Sequence, residues 1–181
     1  MPKKKIKRQN QGSLKNIKGN QPNTAETPLT FDLSDGNWLK SVSLSKRYTN
    51  LLKNEDMFGK YITELFHRVI PYIQKYGLQM IKEAGTRGWK HCHPIDEEKL
   101  DLVKKIIEEI HGDLPKFEDK AGPALWQFGI TQNIRMIAVY DYKINVIKPL
   151  FIDYHHLIYP SEKHNQSNYS KYDFCPIENY Q

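Results

Sequence analysis

Three strand-like stretches follow one another closely: Ala124–Ile130, Asn133–Tyr140 and Lys143–Asp153. Two-residue joins, Thr131-Gln132 and Asp141-Tyr142, separate them. Spacing and turns together predict an antiparallel meander. Pro149 cannot donate to a ladder, which puts it at an edge or a bulge. In the middle stretch, alternation sets Ile134, Met136 and Ala138 on one face and Arg135, Ile137 and Val139 on the other.

Two amphipathic helices precede this sheet. Phe58, Ile62, Leu65, Phe66, Val69 and Ile73 recur at three- and four-residue steps, predicting a helix over 55–76. Pro71 is expected to end or kink it, and Gly77 to stop it. A second helix is predicted over 96–111, capped by Asp96 and followed by Gly112. Its buried stripe is Leu100, Val103, Ile106, Ile107 and Ile110. Residues 86–95 lack a helical period and suit a short strand, as does the alternation through Val42 and Leu44. The expected fold is α+β: a small antiparallel sheet with helices packed on it.

Composition divides the chain further. Residues 1–20 hold seven basic residues and no acidic one, so the net charge of +6 resides in an arm. The remainder carries 20 basic and 21 acidic residues and is close to neutral. Residues 1–30 read as a disordered basic arm, 31–160 as one α+β domain, and 161–181 as a tyrosine-rich extension. No apolar run is long enough to span a membrane, and no apolar segment follows the N-terminal charges as in a secretory signal. Cys92 and Cys175 do not make a disulfide framework, so a cytoplasmic location is expected.

Three groups of residues have chemical potential. In Lys90-His91-Cys92-His93, an extended chain sets both imidazoles on one face, for proton transfer or for part of a metal site. Hydrogen-bonded surface histidines beside a helix cap are the plainer reading. In Asp153-Tyr154-His155-His156, followed by Tyr159, a carboxylate two residues from an imidazole can fix its tautomer. The plainer reading there is a strand end whose Asp and His satisfy local backbone groups. Arg135, inside a strand, either grips a phosphate or pairs with Asp153 or Glu108. Phosphate-loop, dinucleotide, nucleophile-elbow and common zinc motifs are absent from the sequence.

The stretch from Leu125 to Pro160 resembles the C-terminal sheet of the RelE/ParE-type toxin superfamily. Leu125-Trp126, Ile134-Arg135-Met136-Ile137 and the apolar run Ile144 through Ile152 carry the likeness. The resemblance implies a toxin of a toxin–antitoxin module, with an antitoxin partner and RNA, sometimes ribosome-associated, as target. The expected activity is metal-independent endoribonuclease cleavage with no cofactor. His155 or His156 would be base or acid, Asp153 would orient it, and His93 and Tyr159 would assist. Arg135 would stabilise phosphoryl charge. Lys3, Lys4, Lys5, Lys7, Arg8 and Lys90 would add salt-sensitive affinity for nucleic acid. Two alternatives stand beside it: a non-catalytic interaction protein that binds nucleic acid or a protein, and a zinc-dependent hydrolase.

Overall fold

The computed structural model describes residues 28–44, 48–112, 124–130, 134–160 and 169–180. The expected meander is present as β5 (Ala124–Phe128), β6 (Arg135–Asp141) and β7 (Val146–Asp153), with antiparallel pairing throughout. The join at Thr131-Gln132 lies outside the described residues. The second join is longer than expected, occupying residues 142–145. There Asn145 takes a positive φ of 54° and its side chain accepts the Tyr140 hydroxyl at 2.8 Å.

Two short strands extend this sheet. β4 (His93–Pro94) pairs antiparallel with β5, so the strand expected over 86–95 shrinks to two residues. β1 (Thr30–Phe31) lies parallel to β7, which makes the sheet mixed rather than wholly antiparallel. The order is β1-β7-β6-β5-β4. β1 also moves the domain boundary: Leu29 is buried, so the body begins before residue 31. β2 (Ser43–Leu44) and β3 (Tyr48–Thr49) form a separate hairpin.

Both faces of the large sheet are covered. Met136, Ala138, Tyr140, Ile147 and Ile152 pack with Leu65, Val69, Ile73 and Met80 of the first helical segment. Ile137, Val139, Leu150 and Phe151 pack with Val103, Ile106, Ile107 and Ile110 of α3 (Glu97–His111). Adjacent Leu150 and Phe151 reach the same cluster because the register slips between Ile137 and Ala138. Phe151 opposes Ile137 while Pro149 opposes Ala138, so Leu150 is the extra residue of a bulge. Pro149 sits where its missing donor costs least.

The first helix outruns its expected end. α1 (Glu55–Glu64) starts at Asn54, whose side chain accepts the Met57 N–H at 3.1 Å. It continues through a wide π turn, Leu65–Val69, into α2 (Ile70–Lys82). Pro71 cannot donate and would press on the carbonyl four residues back. The π turn precedes it, with Ile70 N–H bonded to Leu65 O, and the helix continues past the proline. Gly77 does not stop the helix. The Leu29 side chain fills the space a Cβ would need there. α3 ends at Gly112 as expected, with φ 79°. Asp96 holds the cap position, but its side chain makes no capping bond.

Among the described C-terminal residues, 169–180, several pack on the body. Leu52 and Phe174 exchange backbone hydrogen bonds at 2.9 and 3.0 Å, and Phe174 and Cys175 are buried. α4 (Pro176–Asn179) follows. Asn50, 1% exposed, ties the hairpin to the sheet. Its Oδ1 accepts Val42 N–H at 2.7 Å and its Nδ2 donates to Ile152 O at 3.0 Å. Asn50→Ala strands both backbone groups and should cost about 2–5 kcal/mol, read from urea midpoints. A loss under about 0.5 kcal/mol would show that the hairpin is held some other way.

Candidate functional site

The sheet register brings the expected residues to one face. Arg135 opposes Asp153, His93 opposes Gln127, and Gln127 opposes Ile137. Alternation along β6 sets Arg135 on the side of Ile137. This gives two adjacent rows on one face near the end of the sheet, Arg135 with Asp153 and His93 with Gln127, Ile137 and Phe151. It is not an open catalytic face.

Asp153 is fully buried. Its carboxylate accepts the backbone N–H of His155 at 3.3 Å, Leu157 at 3.1 Å and Ile158 at 3.0 Å. It therefore caps the turn that leaves β7, where His156 adopts φ 56°. Burial pushes its pKa up, and those N–H donors oppose the shift. Arg135 is 6% exposed and lies flat over Gly129, where a Cβ would sit 2.6 Å from its Cδ. Its Nη1 donates to Ile134 O at 2.9 Å. Burial lowers the guanidinium pKa, and Asp153 raises it. The facing pair supports the structural reading of Arg135 over the phosphate grip.

His155 is also interior, at 2% exposure. Its Nε2 bonds to Leu51 O at 2.7 Å, which places the proton on that nitrogen. Tyr169 stacks on the ring at 5.6 Å and Tyr172 tilts against it at 5.6 Å. Burial lowers its pKa, so the ring is held neutral. His156 is 9% exposed. Asp153 and His155, expected as orienter and base, are enclosed by backbone and tyrosine rings. His93 and Tyr159 form a separate contact at the rim, with ring centroids 5.1 Å apart. His93 Nδ1 donates to Pro94 O at 2.8 Å, and the Tyr159 hydroxyl accepts Asp96 N–H at 3.0 Å. Burial raises the Tyr159 pKa.

A cleft that the sequence only half disclosed lies past the end of β5. Its volume is about 300 Å³, and its walls include Tyr72, Arg87, Trp89, Lys90, His91 and Gly129. Lys90 and His91 were expected in a functional cluster; Tyr72, Arg87 and Trp89 were not. The signal was present in Thr86-Arg87-Gly88-Trp89-Lys90, an arginine and a lysine flanking a tryptophan. Successive turns shape it: Trp89 N–H bonds to Thr86 O at 3.0 Å, and Cys92 N–H to Trp89 O at 2.9 Å. The Trp89 indole donates to Glu83 Oε2 at 2.9 Å, and Gln79 donates to Glu83 Oε1 at 3.1 Å. Tyr72 packs against Trp89 at 6.2 Å. Among the described residues, no carboxylate lines the cleft. The Cys92 thiol points away from it into the core, where burial raises its pKa.

Lys3, Lys4, Lys5, Lys7 and Arg8 lie outside the described residues. Among the described residues, no group of three or more His, Cys, Asp or Glu side chains is placed to hold a metal ion. No described helix is long and apolar enough to cross a membrane.

Two predictions follow from the buried row. Asp153→Ala orphans three N–H groups and leaves Arg135 facing a void, at an expected cost of about 3–5 kcal/mol. A denaturation midpoint close to wild type would contradict this. His155 sits below its ordinary pKa of 6.5 when folded, so the unfolded chain binds the proton more readily. Its contribution is present above 6.5 and is lost as pH falls through the folded value. His155→Gln should therefore flatten the decline in stability on acidification; an unchanged slope would exclude His155 as its source.

A family model described as "Uncharacterised protein UU032" matches residues 34–181, which includes the C-terminal residues that pack on Leu52 and His155. The "Uncharacterized protein UU032" of Ureaplasma parvum serovar 3 is 31% identical over 166 residues, covering 91% of this chain and 89% of the relative. No solved structure matches. The chain belongs to the UU032 family.

Proposed function

We propose that this protein binds single-stranded RNA through the cleft at Trp89. The observation that carries the reading is a pocket with two cations and two aromatic rings and, among the described residues, no lining carboxylate. Single-strand binding uses these two chemistries together: cations for the backbone and ring faces for the bases. The chain after residue 20 is close to neutral, so this local cluster matters more than net charge. The arm, with Lys3, Lys4, Lys5, Lys7 and Arg8, adds a sequence-independent, salt-sensitive contribution. A cytoplasmic location belongs to the same proposal.

Cleavage of the bound strand is a second reading, favoured by His91, which lines the same cleft as Arg87 and Lys90. An imidazole beside two cations can move a proton while charge on a phosphoryl group is neutralised. On this reading the protein is a toxin-like endoribonuclease, with His91 in the place first given to His155 or His156. An antitoxin partner and ribosome association come with it. Zinc-dependent hydrolysis draws no support from the described residues.

Fluorescence anisotropy of a labelled oligoribonucleotide tests the binding. Trp89→Ala with Lys90→Ala should weaken it about tenfold or more, since one stacked base is worth about 1–3 kcal/mol. Deleting residues 1–20 should reduce its salt dependence. Wild-type affinity in the double variant would reject the cleft. Cleavage is assayed in EDTA: loss in His91→Ala supports the second reading. Loss confined to the His155→Ala, His156→Ala double variant would return catalysis to the strand end.

A further inference from the structure

We infer that the cleft seats one unpaired nucleotide, with its base on the exposed side of Trp89 and its phosphate between Arg87 and Lys90. Glu83 is the residue that sets the pose. This rests on the RNA-binding reading and adds the unit recognised and the means of holding it.

The size of the cleft argues for a single unit. About 300 Å³ is at the lower limit of small-molecule sites and admits one flat ring with its phosphate. Tyr72 lies 6.2 Å from Trp89 at a tilt of 54°. The two rings are not parallel, so a base cannot slide between them as a sandwich and must lie on one face. A paired base in a duplex keeps both faces stacked on its neighbours, so only a splayed or terminal nucleotide can offer one.

Glu83 solves an electrostatic problem in this arrangement. It is a carboxylate beside a site for an anion. Both of its oxygens are committed, one to the Trp89 indole and one to Gln79. The bond fixes the tryptophan before a ligand arrives, which lowers the ordering cost of stacking. It also directs the indole N–H away from the ligand, leaving the ring face and the neighbouring cations to do the recognition. Both cations come from the same segment as the tryptophan: Arg87, Trp89 and Lys90 line the cleft from one run of turns between α2 and β4. Base and phosphate are thus recognised by adjacent residues of one short segment.

Trp89 also supplies its own reporter. Trp38 and Trp126 are buried at 3% and 7% exposure, whereas Trp89 is half-buried at the cleft. Stacking should quench it selectively. The experiment titrates the full-length protein with adenosine 5′-monophosphate and follows tryptophan emission. Ribose 5-phosphate, single-stranded oligoadenylate and an RNA duplex are run in parallel. Saturable quenching by the mononucleotide is expected, with a dissociation constant of about a millimolar. Ribose 5-phosphate should leave emission unchanged, and the duplex should not compete. Glu83→Ala should weaken the mononucleotide about fivefold, and Glu83→Gln, which keeps an acceptor for the indole, should restore it. A structural role alone would not give that rescue with folding intact by circular dichroism.

The outcomes separate the two claims. If the oligonucleotide binds but the mononucleotide does not quench, the single-nucleotide site is wrong and RNA binding stands. If the mononucleotide binds and the oligonucleotide does not, the site takes free nucleotides and the RNA reading is wrong. Equal competition by the duplex overturns the splayed-nucleotide geometry. Absence of binding by every ligand overturns both.

Discussion

A carboxylate removed from water organises one end of this molecule. Asp153 stands at the last position of β7, faces Arg135 across the ladder, and holds three backbone N–H groups of the turn beyond it. Its carboxylate has no solvent to rely on, so those three N–H donors replace it. Removing any partner leaves a cost, and this is what fixes the turn. The turn in turn carries His155 to Leu51 O and to the tyrosines of the C-terminal residues. Arg135 needs flat space to lie in, and Gly129 provides it. The glycine that accommodates the buried pair is also a wall of the cleft.

The sequence reading was most accurate where pattern and burial coincide. Alternation along Arg135–Asp141 sorts Met136 and Ala138 to one core and Ile137 and Val139 to the other, the apolar stripe of Glu97–His111 faces the second, and both elements appear with nearly the expected bounds. It failed where the outcome depended on contacts far away in the chain. Gly77 reads as a stop, but its lack of a side chain serves Leu29. Pro71 reads as an end or a kink; the π turn before it takes up the disruption and the helix runs on. β1 is invisible because two residues have no period, and its pairing is with a strand more than a hundred residues later.

The site shows the same division. Asp153, His155 and Arg135 were legible as chemically unusual, and they are unusual for structural reasons: polar groups in the interior require dedicated partners. The same residue types in the same spacing would mark a catalytic set if solvent reached them, and sequence spacing does not report access. His91 and Lys90 were legible as a cluster, yet Tyr72 joins them only because the helix runs past Pro71 and returns through tight turns.

The parallel β1 has a geometric consequence for any extended ligand. Thr30 pairs with Val146, so the chain enters the body at the start of β7. The cleft and Gly129 lie at the opposite end, level with Asp153. Seven strand steps at about 3.3 Å separate these ends by roughly 23 Å. Under the RNA binding proposed above, a contact near Thr30 and the aromatic cleft would be two grips set apart by a rigid spacer. A short strand would engage one grip, whereas a longer one would engage both and gain avidity. The sheet would then work as a ruler, making affinity a stepped function of strand length.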